Sequence, residues 1–121
     1  MAAELAMQLV RAVSTQNEDA LAECFSPDVE FRALVPPGLR ERTGAREAAS
    51  LFTQWLGDST DLQLVDSSSQ EVGDRVHIFY RLAGVEEGEE YQVEHHLFCT
   101  FEDGKIKRAD LLCSGFQPRT P

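Results

Sequence analysis

Asp103 and Gly104 separate two runs in which apolar residues recur at every second position, Tyr91 to Glu102 before them and Lys105 to Phe116 after. A two-residue Asp-Gly connection is favoured where both residues must take positive φ, the geometry that closes a β-hairpin in a defined register. Glu87 and Gly88 stand in the same relation between Arg75 to Val85 and Tyr91 to Glu102, and Gly73 and Asp74 follow the run Leu62 to Val72. The second half of the chain is therefore expected to be a four-stranded antiparallel meander.

The first half has a different period. Ala2, Leu5, Ala6, Leu9, Ala12 and Val13 recur at helical spacing, which predicts an amphipathic helix from Ala2 to Val13. Asn17 can cap a second, short helix that carries Leu21, Cys24 and Phe25 inward until Ser26 and Pro27 stop it. Val29, Phe31, Ala33 and Val35 alternate with Glu30, Arg32 and Leu34 and read as a strand ended by Pro36, Pro37 and Gly38, followed by a loop to Arg42. Thr43 is a candidate cap for a third helix, whose stripe of Ala45, Ala48, Ala49, Phe52, Trp55 and Leu56 is closed by Gly57. Segregated helices and strands predict an α+β fold, with three helices and one interposed strand packed on a curved, mostly antiparallel sheet. At 121 residues and 42% hydrophobic, with no linker, residues 1–121 read as a single domain.

Charge and cysteine content exclude several classes. Lys and Arg number 11 against 21 Asp and Glu, a net charge of −10, which repels nucleic acid and anionic membranes. No apolar run approaches the ~18 residues of a membrane span, and no basic segment leads into one. Cys24, Cys99 and Cys113 are odd in number and show neither a disulfide framework nor zinc-ligand spacing, so a reducing cytoplasm and no metal or cofactor are expected.

The hairpin turns assign faces. Two residues at Asp103 and Gly104 place Phe101 opposite Ile106, Cys99 opposite Arg108, Leu97 opposite Asp110 and His95 opposite Leu112. The turn at Glu87 and Gly88 places Val76 opposite Cys99, Ile78 opposite Leu97, Tyr80 opposite His95 and Leu82 opposite Val93. The apolar faces coincide, and His95, Asp110 and Tyr80 stand out on them as polar groups. A carboxylate and an imidazole at diagonal positions, about 7 Å apart between Cβ atoms, suit acid/base work inside an apolar cavity. Trp55, Leu97 and Leu112 are expected to line that cavity. Cys113 falls on the opposite face, towards Glu94, unless a bulge in the last strand exchanges Asp110 for Leu111 and turns Cys113 inward. The competing reading is a buried structural histidine with a core aspartate as its partner. On the outer face Arg81 meets Glu94 and Asp66, while Phe79, His96, Phe98 and Leu111 form a patch expected to be covered in a homodimer. His95 and His96 point to opposite faces and cannot share a metal from a regular strand.

Three helices with one interposed strand, then a meander, with Phe25-Ser26-Pro27-Asp28-Val29-Glu30-Phe31 after the second helix, Gly44 opening the third and Asp103-Gly104-Lys105-Ile106 opening the last strand, resemble the nuclear transport factor 2-like superfamily and its SnoaL-like polyketide cyclase branch. The resemblance covers nearly the whole chain and implies a cone-shaped fold around a pocket, often in a homodimer, with members that include cyclases, isomerases, dehydratases and epoxide hydrolases working without metal. The isomerases carry their base on the first strand, where this chain has Arg32 and Ala33. The epoxide hydrolases and cyclases place a carboxylate near the positions of Cys113 and Ser114, where this chain has none. Two functions follow as expectations. One is a cofactor-independent acid/base enzyme acting on a small hydrophobic carbonyl or hydroxyl compound through His95, Asp110 and Tyr80. The other is a non-catalytic ligand-binding or dimerisation module.

Overall fold

Helical periodicity before Gly57 and strand alternation after it give two layers, described for residues 2–36 and 38–119 by a computed structural model. The helices are α1 (Ala2–Ser14), α2 (Glu18–Glu23) and α3 (Ala45–Leu56), and the strands are β1 (Phe25–Val35), β2 (Gly38–Thr43), β3 (Thr60–Val72), β4 (Arg75–Glu86), β5 (Glu89–Glu102), β6 (Lys105–Cys113) and β7 (Gln117–Pro118). Asn17 caps α2 as expected, its side-chain oxygen accepting the Ala20 N–H at 3.0 Å. Of the stop at Pro36, Pro37 and Gly38, Pro37 lies outside the described residues.

One curved, unclosed sheet runs in the order β2-β1-β6-β5-β4-β3, with β7 on β5. All pairings are antiparallel except β1 with β6, so the fold is the expected α+β cone. The expected loop to Arg42 is instead β2, which forms a hairpin with β1 that matches Leu34 with Leu39 and Arg32 with Glu41. That pairing holds Thr43 opposite Glu30, so Thr43 does not cap α3. Gly44 takes that position at φ 109, donating its N–H to Val29 O, and a Cβ there would lie 2.5 Å from the Glu47 carboxylate.

The meander turns are those read from sequence. Glu87 and Gly88 adopt φ 53° and 80°, and Asp103 and Gly104 φ 54° and 75°. The β4–β5 register follows: Val76 pairs with Cys99, Ile78 with Leu97, Tyr80 with His95 and Leu82 with Val93. The β5–β6 register holds from Glu102 and Lys105 through Phe101 and Ile106, then slips by one residue, so that Thr100 faces Arg108. Lys107 is the extra residue, and Lys107 and Arg108 are consecutive exposed positions. Beyond the bulge every side chain of β6 has the face opposite to a regular continuation. The helices cover the inner face, α3 contributing Ala48, Ala49, Leu51, Phe52 and Leu56 to the core. No helix among the described residues is long and apolar enough to cross a membrane.

Candidate functional site

A chain of ring contacts crosses the inner face. Phe25 meets Phe31 at 5.9 Å between centroids, Phe31 meets Phe52 at 5.6 Å, and Phe52 meets Trp55 at 5.3 Å. The His95 imidazole lies against this chain, 6.1 Å from Phe52 and 5.7 Å from Trp55, both edge to face. Helical spacing puts Phe52 and Trp55 on the α3 stripe that faces the sheet, and strand alternation puts Tyr80 and His95 directly opposite one another on β4 and β5.

Tyr80 Oη and His95 Nδ1 are 2.6 Å apart, and both residues have no solvent contact. The direction of this bond depends on the imidazole tautomer; with the Tyr80 hydroxyl donating to Nδ1, the neutral imidazole carries its proton on Nε2. Nε2 is the buried side-chain polar atom left without a hydrogen-bond partner among the described residues. Burial, with a smaller contribution from neighbouring His96, pushes the His95 pKa down to about 3. Burial, with Cys113 and Cys99 behind it, holds the Tyr80 hydroxyl well above its ordinary range. Both groups are neutral across the biological pH range. They can donate and accept hydrogen bonds but resist carrying charge.

The bulge overturns the expected place of Asp110. It pairs with Phe98 on the outer face, not with Leu97 beside His95, and Leu111 takes the inner position. There Asp110 Oδ1 accepts Arg32 Nε at 2.9 Å and Oδ2 accepts Arg75 Nη1 at 2.9 Å. Partial burial pulls the Asp110 carboxyl up, but the two guanidinium partners outweigh it and leave the pKa below the ordinary value. Leu112, expected in the pocket, is 48% exposed on the outer face. Leu97 is fully buried in the inner core. Cys113 turns inward opposite His95, half-buried, with the Gly115 N–H donating to Sγ at 3.3 Å and burial raising its thiol pKa. The convergent set is thus Tyr80, His95, Trp55 and Cys113. The charged doublet Lys107-Arg108, followed by inward Ala109, Leu111 and Cys113, was the sequence signal for the slip. His95 itself lines none of the four hollows described, though Phe52, 6.1 Å from its ring, lines one, and no three His, Cys, Asp or Glu side chains among the described residues gather as a metal site requires.

The outer face carries the expected ion pair of Arg81 with Glu94, Nη2 to Oε2 2.8 Å. His77 Nε2 and His96 Nδ1 are 2.9 Å apart there, flanked by Phe98 and Phe79. Leu39, Leu34, Leu112, His96 and Phe79 follow one another across five strands, so Leu112 replaces Leu111 in the outer patch.

The chain belongs to the SnoaL-like domain family, which matches residues 6–109. No curated protein sequence matches it. Solved structures share the fold at low identity. A proposed polyketide cyclase from Xanthomonas campestris pv. campestris is 24% identical with a TM-score of 0.74, covering 92% of this chain and 88% of that one. A protein of ketosteroid isomerase-like fold from Catenulispora acidiphila, in complex with trimethylamine, is 16% identical with a TM-score of 0.74, covering 89% and 83%. An epoxide hydrolase of M. tuberculosis is 14% identical with a TM-score of 0.66, covering 92% and 80%.

Proposed function

We propose that this protein binds a small, neutral, mostly apolar molecule inside the cone and that His95 Nε2–H donates to an oxygen of that ligand. The observation that carries the reading is the unpartnered Nε2, a buried donor whose desolvation costs about 1–3 kcal/mol and which a ligand carbonyl or hydroxyl would satisfy. Trp55 and Cys113, both half-buried, stand beside it, Trp55 5.7 Å from the His95 ring and Cys113 opposite His95 on the neighbouring strand. The described inward-facing residues carry no ionised group, which favours an uncharged ligand. Acid/base catalysis is the second reading, favoured by the hydrogen bond that joins the Tyr80 hydroxyl to His95. It needs a base to take the second proton, and with Asp110 outside, no inward-facing carboxylate supplies one. Binding is therefore the stronger reading.

Trp55 is the sole tryptophan, so its emission reports the site directly. Titration with cyclohex-2-enone should change Trp55 fluorescence and shift the His95 Nε2 resonance in long-range 1H–15N spectra, and both effects should vanish in His95→Phe. Unchanged spectra across a panel of neutral ketones and alcohols would sink the reading. The row Leu39, Leu34, Leu112, His96 and Phe79 supports a homodimer packed through the outer face. Three free thiols fit a cytoplasmic protein whose residues 1–121 act as one domain.

A further inference from the structure

We propose that the cleft between α1, α2 and the last turn of α3 is the outer half of the His95 site, and that the ligand is an elongated apolar molecule with an acceptor oxygen at its inner end and a hydroxyl at its outer end. This rests on the reading of His95 given above.

The cleft has a volume of about 280 Å³, and its floor is apolar, built from Val13, Leu21, Phe52 and Leu56. Ligand cavities run from about 300 to 1,000 Å³, so the cleft alone is small for a ligand of ordinary size. Further room would come from moving the buried Phe52 ring, which packs against Phe31 and Trp55. That ring lines the cleft and stands 6.1 Å from the His95 ring, making it the residue common to the cleft wall and the His95 surroundings. A ligand end that displaces Phe52 reaches the unpartnered Nε2.

The rim selects the outer end. Gln16 donates its amide N–H to Leu56 O at 2.7 Å, which leaves its carbonyl oxygen as an acceptor. The Glu18 carboxylate accepts the Thr53 hydroxyl at 2.6 Å and Arg46 at 3.2 Å, with lone pairs to spare. Asn17 spends its side-chain oxygen on the Ala20 N–H and keeps its amide N–H groups as donors. A hydroxyl both donates and accepts, and so suits this rim. A carboxylate does not, because Glu18 is the ionised residue of the lining and the chain carries a net charge of −10.

Three probes separate the ends: 4-(4-hydroxyphenyl)butan-2-one, the same ketone without the hydroxyl, and its para-carboxylate, with cyclohex-2-enone reporting the inner end alone. The hydroxyl probe should bind about tenfold more tightly than the plain ketone, the size of one hydrogen bond to a charged group. Thr53 is exposed, so Thr53→Phe can narrow the cleft in a folded protein, which its thermal melt verifies. That variant should abolish the tenfold advantage of the hydroxyl probe over the plain ketone. Glu18→Gln should admit the carboxylate. If the ketones bind but the hydroxyl gives no advantage, or Thr53→Phe leaves it intact, the joined site is refuted while the His95 reading stands. If the hydroxyl probe shifts cleft resonances and not His95 Nε2, the cleft is a separate site and the proposal fails. If no ketone binds wild-type protein, both readings fall together.

Discussion

Replacing Tyr80 with Phe keeps the buried ring and removes only the oxygen 2.6 Å from His95 Nδ1. His95 would then have two unpartnered nitrogens in a fully buried position, since Nε2 already lacks a partner. One newly stranded buried acceptor costs about 1–3 kcal/mol, so the variant is expected to lose about 2 kcal/mol. His95→Phe strands the Tyr80 hydroxyl in turn, at a similar cost. The double variant strands neither group and also removes the Nε2 donor, so it should be no less stable than either single variant. The resulting coupling energy should lie at about 1–3 kcal/mol. Urea unfolding measures it: with an m-value of about 2 kcal/mol/M, the single variants should shift the midpoint down by about 1 M. Additive single-variant effects, with a coupling below about 0.5 kcal/mol, would show that the two groups do not share a hydrogen bond.

Acid should weaken the fold through His95. Its pKa falls from 6.5 to about 3 on folding, so between those pH values the unfolded chain binds a proton that the folded chain refuses, and stability drops as pH falls through that window. The slope should exceed that of His95→Phe by up to about 1.4 kcal/mol per pH unit in urea titrations. Asp110→Asn should cost about 1 kcal/mol, because Arg32 and Arg75 are 51% and 38% exposed and solvent screens the clamp, and it should leave ligand affinity unchanged. A loss of affinity in that variant would return Asp110 to the site. Leu112→Glu, at the centre of the outer row, should shift a dimer to monomer in sedimentation at micromolar concentration. An unchanged sedimentation profile would place any interface elsewhere.

The parts of the fold legible in sequence were those governed by local chemistry. The turns at Glu87-Gly88 and Asp103-Gly104 carry their own backbone requirement, and with no bulge between β4 and β5 the pairing of Tyr80 with His95 followed from counting. β2 escaped because six residues rich in Arg and Glu have little apolar alternation to show, and because its pairing with β1 spans a Pro-rich turn. The parallel pairing of β1 with β6 joins residues some eighty positions apart and has no local signature. At Lys107 the difficulty was of another kind. Leu111 and Leu112 are adjacent leucines, so either parity of β6 offers an apolar residue to the core, and only the charged pair before them favours the slip.

That single extra residue decides the chemistry of the interior. In a regular β6, Asp110 would stand beside His95, and a carboxylate there would favour the imidazolium and create an acid/base pair. With the bulge, the carboxylate lies outside between two arginines, a thiol faces His95, and the imidazole stays neutral. Cys113→Asp tests this directly, because it returns a carboxylate to the inner face at a position that is half-buried and can tolerate one. An opposite charge within about 4–6 Å raises a histidine pKa by roughly 1–3 units, so that of His95 should climb from about 3 to between about 4 and 6. Relative to wild type the variant should lose stability above pH 6, where the new carboxylate is ionised against a neutral imidazole, and the deficit should narrow below pH 6, where its His95 accepts a proton that wild type refuses. An NMR titration that leaves His95 unprotonated down to pH 4 would mean that residue 113 does not face it, and that the β6 register, with the uncharged interior deduced from it, is wrong.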